Sequence, residues 1–154
     1  MSQLAQASRD ALSEGGALAE RLDAFAPRDA QQRLTAAIAD AFDAREVLLA
    51  EAGTGTGKTF AYLVPALLSG GKVIVSTGTK NLQDQLFSKD IPTVRKVLGA
   101  PVQVALLKGR ANYLCHYHLE RALDDGRFVA REDAAHAARI ARFAKSTKTG
   151  DKAD

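Results

Sequence analysis

The clearest chemistry in this chain lies in seven consecutive residues, Gly53-Thr54-Gly55-Thr56-Gly57-Lys58-Thr59. Glycines at alternate positions can take positive φ and let backbone N–H groups approach phosphate oxygens closely. A lysine placed directly after them can reach the β- and γ-phosphates of a nucleotide, and the Thr59 hydroxyl can bind Mg²⁺. If a helix starts at Lys58, its free N–H groups and its dipole add further attraction for an anion. The apolar run Val47–Ala50 before the loop and the apolar stretch after it supply the strand and helix that a P-loop requires. That context sets aside the plain alternative, a flexible glycine turn between two core elements. One position departs from the general pattern: Ala52 stands where a glycine is usual.

The elements that must hold this loop follow from periodicity and punctuation. Residues 1–26 are helical and Ala-rich, broken at Gly15-Gly16, and read as a peripheral lead-in. Pro27 opens a helix reaching about Arg45, with Leu34, Ile38 and Phe42 spaced by four on one face. Val47–Ala50 reads as a buried strand, and a helix over Lys58–Leu68 follows the loop, with Pro65 weakening or kinking its last turn. Gly70-Gly71 is a turn, Lys72–Thr77 a second strand and Val102–Leu107 a third, with short helices over Asn81–Ser88 and Pro92–Leu98 between them. Ala111–Leu123 and residues 130–144 are helix-like, and the polar tail KSTKTGDKAD ends without a closing element. Strands alternating with helices predict an α/β fold with a parallel sheet built from right-handed βαβ units. Three strands are few for such a sheet, so the chain reads as cut off.

Composition narrows the classes. At 154 residues the chain can bury one ordinary core. No run of about 18 apolar residues occurs, which argues against a membrane helix. The N-terminus lacks the continuous apolar stretch of a secretory signal. A single cysteine excludes an internal disulfide and fits a reducing cytoplasm. Charge is uneven: residues 1–50 carry five Lys/Arg against eight Asp/Glu, and residues 51–115 carry eight against three. The positive excess in the segment containing the loop suits an anionic ligand or nucleic acid.

Three stretches taken in order resemble one family. With Ala52 the loop reads A-x-x-G-x-G-K-T, similar to motif I of helicases. EAGTGTGKTFAYLVPALL, VIVSTGTKNLQDQLFSKDIPTV and VALLKGRANYLC together resemble the N-terminal part of the DinG/YoaA-type DNA helicases. These are bacterial relatives of the XPD group of iron–sulfur helicases in superfamily two, and the motif forms lean toward the YoaA subgroup. The resemblance covers about residues 25–154.

It implies a RecA-like P-loop NTPase fold. Residues 1–24 would be a helical lead-in, 25–110 part of the first motor domain and 111–154 the start of a helical iron–sulfur domain. ATP and Mg²⁺ would bind at Ala52, Gly53, Thr54, Gly55, Thr56, Gly57, Lys58 and Thr59, with Lys58 and Thr59 catalytic. Gln31 would hydrogen-bond the adenine edge, and Arg28 would lie beside it. Ser76, Thr77, Thr79, Lys80, Gln85, Lys108 and Arg110 would follow a single-stranded or forked DNA backbone. Cys115 would be the first of four cysteines holding a [4Fe–4S] cluster, the other three lying outside this sequence. The acidic motif that holds Mg²⁺ and orients water is also missing here, and in the family it comes after the cluster domain. The parent is thus expected to be a cytoplasmic, nucleoid-associated helicase with 5′→3′ polarity, acting in repair or replication. This piece alone is expected to be inactive and of marginal stability. The competing reading is a stand-alone P-loop nucleotide-binding module or small kinase.

Overall fold

The computed structural model describes residues 1–153, which divide into two compact units, one over 1–105 and one beginning at 106. The first unit is organised by helices. These are α1 (Gln3–Ala11), α2 (Ala17–Arg21), α3 (Asp29–Ala44), α4 (Lys58–Leu68), α5 (Lys80–Gln85) and α6 (Ile91–Leu98). Ser2 starts α1 by accepting a hydrogen bond from the Ala5 N–H through its hydroxyl. Arg45 ends α3 in the left-handed region. α5 runs into a π-helical turn, Leu86–Asp90, and that turn into α6. Pro92 explains the wide turn: it has no N–H to donate, and its ring crowds the carbonyl four residues earlier.

The core is helical. Leu12, Leu18, Leu63, Val64, Leu86, Val94 and Val97 pack as one cluster, with Phe25, Phe60 and Tyr62 at its margin. Each buried leucine stabilises the fold by roughly 2 kcal/mol through removal of apolar surface from water. Leu12 and Leu18 are fully buried, so the first two helices are part of the core and not a peripheral lead-in. On α3 the buried line is Gln31, Thr35 and Ala39, while Phe42 is exposed. The expected Leu34/Ile38/Phe42 face is therefore not the deepest one. α3 packs against both α1 and α4, and α1 brings only Ala5, Ser8 and Ala11 to its buried face. Small residues on facing helices let the backbones approach closely, and the bulky side chains are left at the flanks.

The expected parallel sheet is absent among the described residues. Val47–Ala50, Lys72–Thr77 and Val102–Leu107 lie outside any ladder, and no backbone hydrogen bond joins them. They are also not buried: Val47 is 99%, Leu49 98% and Ile74 94% exposed, whereas Leu48, Val73 and Val75 are about 40% exposed. That period-two alternation is the pattern of a strand with one face partly covered and the other open. Parallel strands need ladder partners on their edges, and these three segments do not serve one another as partners.

The second unit holds a 3₁₀ turn (Arg110–Asn112), α7 (His116–Asp125) and α8 (Arg131–Ser146). The helix expected over Ala111–Leu123 is interrupted at Tyr113–Cys115, and α7 begins only at His116. The Ala130 N–H is capped by the Asp133 carboxylate at the start of α8. The polar tail is not loose. Asp151 forms an antiparallel bridge with Tyr113, and Leu114 N–H donates to the Gly150 carbonyl at 2.8 Å.

Candidate functional site

α4 begins at Lys58 with Gly57 as its N-cap, and no side chain caps it. The first-turn amides are thus left for an external acceptor. Gly55 and Gly57 have φ of 77° and 79°, a region that favours glycine. Gly53 is not among the glycines with positive φ, so its use is the absence of a side chain and not backbone handedness.

The loop is tied together by its own lysine. Lys58 Nζ donates to the carbonyls of Ala52 and Gly53, both at 2.7 Å, and the Thr56 hydroxyl donates to Gly53 O at 2.9 Å. Lys58 and Thr54 are exposed. An ammonium on two neutral carbonyls is held without any charge partner, so a phosphate oxygen is a stronger acceptor for it.

The N-terminal end of α3 braces the loop from the other side. The Arg28 guanidinium donates to Gly55 O, and Gln31 Nε2 donates to Gly57 O at 2.8 Å. Gln31 is only 3% exposed, and its Oε1 has no hydrogen-bond partner. A buried acceptor without a donor costs about 1–3 kcal/mol, so Gln31 carries an unmet bond. It lines a cavity of about 390 Å³ together with Phe25, Ala26, Arg28, Gly57 and Phe60. The Phe25 and Phe60 ring centroids are 6.0 Å apart. A cleft with aromatic walls and few polar groups suits a planar heterocycle.

Sequence reasoning missed three of these residues. Phe25 precedes the Pro27–Gln31 segment by too little to show any period, and Phe60 read as an ordinary core residue. Tyr62 lies one helical turn after Thr59. Burial pushes its phenol pKa up, and hydrogen bonding to Thr59 partly offsets this. The i, i+3 spacing is the signal that could have found it.

The expected DNA-contacting residues divide. Ser76 and Lys80 are exposed. The Thr79 hydroxyl accepts from Leu82 N–H at 3.3 Å as the cap of α5, and Thr77 donates to Thr79 O at 3.2 Å. Gln85 donates to Asp90 at 3.0 Å. In the second unit Arg110 is exposed, but Lys108 departs from expectation. Its ammonium bridges Asp151 at 2.8 Å, and the two side chains are only 7% and 10% exposed. A buried, paired lysine is not presented to a polyanion.

Cys115 is exposed at the N-cap of α7. No group of three His, Cys, Asp or Glu side chains able to hold a metal occurs among the described residues. One thiolate does not make an iron–sulfur site, so the residues present do not by themselves fit a cluster. For Mg²⁺, the Thr59 hydroxyl would offer one hard oxygen ligand beside the loop.

Comparison with known proteins agrees with this geometry. The DEAD/DEAH box helicase family matches residues 28–116, more than half of the chain. The chain is 46% identical over 139 residues to the ATP-dependent DNA helicase YoaA of Haemophilus influenzae, covering 90% of this chain and 22% of that protein. It is 52% identical over 112 residues to the ATP-dependent DNA helicase YoaA of Escherichia coli, covering 73% and 18%. It is 39% identical over 144 residues to the 3′-5′ exonuclease DinG of Bacillus subtilis, covering 90% and 15%. The chain thus spans about a fifth or less of the length of these relatives. No solved structure matches it.

Proposed function

We propose, from the premise that this chain belongs to the DEAD/DEAH box helicase family, that it carries the ATP site of a YoaA/DinG-type DNA helicase. The fold that goes with this family is that of a P-loop NTPase. In this reading the apolar segments Val47–Ala50, Lys72–Thr77 and Val102–Leu107 are strands of its parallel sheet. Hydrolysis by the whole protein would drive movement along single-stranded or forked DNA, 5′→3′ as the resemblance implies, in DNA repair or replication in the cytoplasm.

The residues take the following roles. Amides of Gly53–Gly57 and the first turn of α4 surround the β-phosphate. Lys58 exchanges its two carbonyls for phosphate oxygens, and Thr59, oriented by Tyr62, ligates Mg²⁺. Ser76 and Lys80 in the first unit and Arg110 in the second contact DNA phosphates without reading sequence. Cys115 supplies one thiolate to a [4Fe–4S] cluster only if three further cysteines come from elsewhere in the parent. The stand-alone nucleotide-binding module or small kinase is not favoured by the relatives.

One observation carries the nucleotide assignment: the buried, unmet Oε1 of Gln31 beside an aromatic-walled cavity at the loop. Adenine offers a 6-amino donor to that acceptor, and guanine offers a carbonyl there. In the full-length protein, Gln31→Ala is expected to reduce discrimination of ATP over GTP by about tenfold or more. Competition binding with labelled nucleotide measures this. An equal loss for both nucleotides would make Gln31 a brace of the loop and not a reader of the base.

A further inference from the structure

The tail of the second unit is built to hold something. Thr147 Oγ1 accepts from the N–H groups of Thr149 (3.3 Å) and Gly150 (2.9 Å), and Thr149 Oγ1 accepts from Asp151 N–H at 2.9 Å. Asp151 Oδ1 in turn accepts from Ala153 N–H at 3.0 Å. Gly150 has φ of 75°, which closes the turn. A polar segment with this much local bonding has a defined shape.

It docks onto the stretch from Lys108 to Leu114. Leu114 N–H donates to Gly150 O at 2.8 Å and Lys152 N–H donates to Asn112 O at 2.9 Å, flanking the Tyr113–Asp151 bridge. Asp151 meets the Lys108 ammonium at 2.8 Å, and Lys108 N–H donates to the Tyr113 hydroxyl at 2.8 Å. Both ends of the loop Lys108–Tyr113 are therefore fastened, one by an ion pair and one by a short ladder. Inside the loop Gly109 O accepts from Asn112 N–H at 2.9 Å and from Asn112 Nδ2 at 3.0 Å. Arg110 stands exposed in the 3₁₀ turn between the fastened ends.

We propose that residues Thr147–Ala153 are a clasp that fixes the Lys108–Tyr113 loop and so presents Arg110 to a DNA phosphate. Asp151 is its positioning residue, and Lys108 is its buried anchor and not a DNA contact. The proposal rests on the reading of Arg110 as a phosphate contact. It reverses the role that the sequence suggests for Lys108 and gives one to a tail that the sequence leaves idle.

The test uses the full-length protein and a single-stranded oligonucleotide, with affinity measured as a function of salt. Asp151→Leu opens the clasp: the Leu114 and Lys152 amides should exchange at least tenfold faster. DNA binding should weaken although the net charge rises by one. Tighter binding with a steeper salt dependence would mean that Asp151 had been withholding Lys108 from phosphate, and would overturn the proposal. Lys108→Met/Asp151→Leu, which replaces the buried pair by apolar groups, should restore amide protection, affinity and salt slope together. A slope in that double variant shallower by about 0.7, the share of one phosphate contact on a single strand, would also overturn it. Arg110→Ala should reduce the slope by that same amount. An unchanged slope would refute the phosphate role of Arg110, while the amide protection would still report whether the clasp exists.

Discussion

Two lysines of this chain read alike in the sequence, and the structure separates them. Lys58 and Lys108 each adjoin a glycine and lie in the segment 51–115 that carries the excess of positive charge. Lys58 is exposed and rests on two neutral carbonyls. Lys108 is buried against a carboxylate. Releasing the first exchanges two bonds to neutral carbonyls for bonds to anionic phosphate oxygens, which is favourable when a phosphate arrives. Releasing the second leaves a buried charge uncompensated at a cost of about 3–5 kcal/mol. An exposed ion contact returns only about 0–1 kcal/mol. A lysine's neighbours in space therefore decide whether it is available for a ligand or committed to structure.

Substitution of both lysines by alanine breaks or sharpens this contrast most directly. Lys58→Ala is expected to reduce DNA-stimulated ATP hydrolysis of the full-length protein by about 10²-fold or more and to leave its melting temperature unchanged. Retained hydrolysis would remove Lys58 from the site. Lys108→Ala should do the opposite, with nucleotide affinity intact and local stability of the second unit reduced by about 3–5 kcal/mol, read from native-state hydrogen exchange. If the two substitutions gave the same phenotype, the contrast would fail.

Gly57→Ala tests how tightly the loop is coupled to α3. A Cβ at Gly57 would lie 2.1 Å from Gln31 Nε2 on a backbone with φ of +79°. The substitution is expected to cost about 1–3 kcal/mol in urea unfolding and to weaken nucleotide binding by displacing Gln31. Gly55→Ala has the same handedness penalty but open space around it, so it should spare Gln31. Equal losses of nucleotide affinity in the two variants would argue against the brace.

The smallest effect concerns a half-buried carboxylate, the counterpart of buried Asp151. Asp40 accepts from the Ser2 N–H at 2.6 Å, which with the Ser2 side chain holds its carboxyl below the ordinary 3.8. A depressed folded-state pKa stabilises above the unfolded value and is lost as pH falls through the folded one. Protection of the α1 amides should thus decline slightly below about pH 4, and Asp40→Asn should abolish that dependence. A pH dependence that persists in the variant would locate it elsewhere.

Local chemistry was legible wherever it is governed by neighbours in sequence. The P-loop, the span of α4 and the left-handed glycines at 55 and 57 follow from spacing and propensity, because a helix and its N-terminus are closed by bonds over three or four residues. The packing of α3 was not, since Gln31, Thr35 and Ala39 become the buried line only when α1 presents small residues to them. Phe25 had no readable pattern of its own and gains one beside Phe60 and Gln31. Asp151 looked like tail solvent; the turn chemistry of Thr147-Lys148-Thr149-Gly150 was the one available hint.

What the sequence alone determined is therefore the family and the loop's local form, because a glycine-rich turn into a helix is set by a short run of residues in fixed order. It marked three apolar segments as buried strands, and their exposure, alternating along the chain, came only from the structure. Tertiary structure decided which groups are available. It gave Gln31 an unmet acceptor at a cavity, rested Lys58 on carbonyls that a phosphate can displace, and buried Lys108 against a carboxylate 43 positions later. Burial and pairing depend on contacts between residues distant in the chain, and no local pattern encodes them.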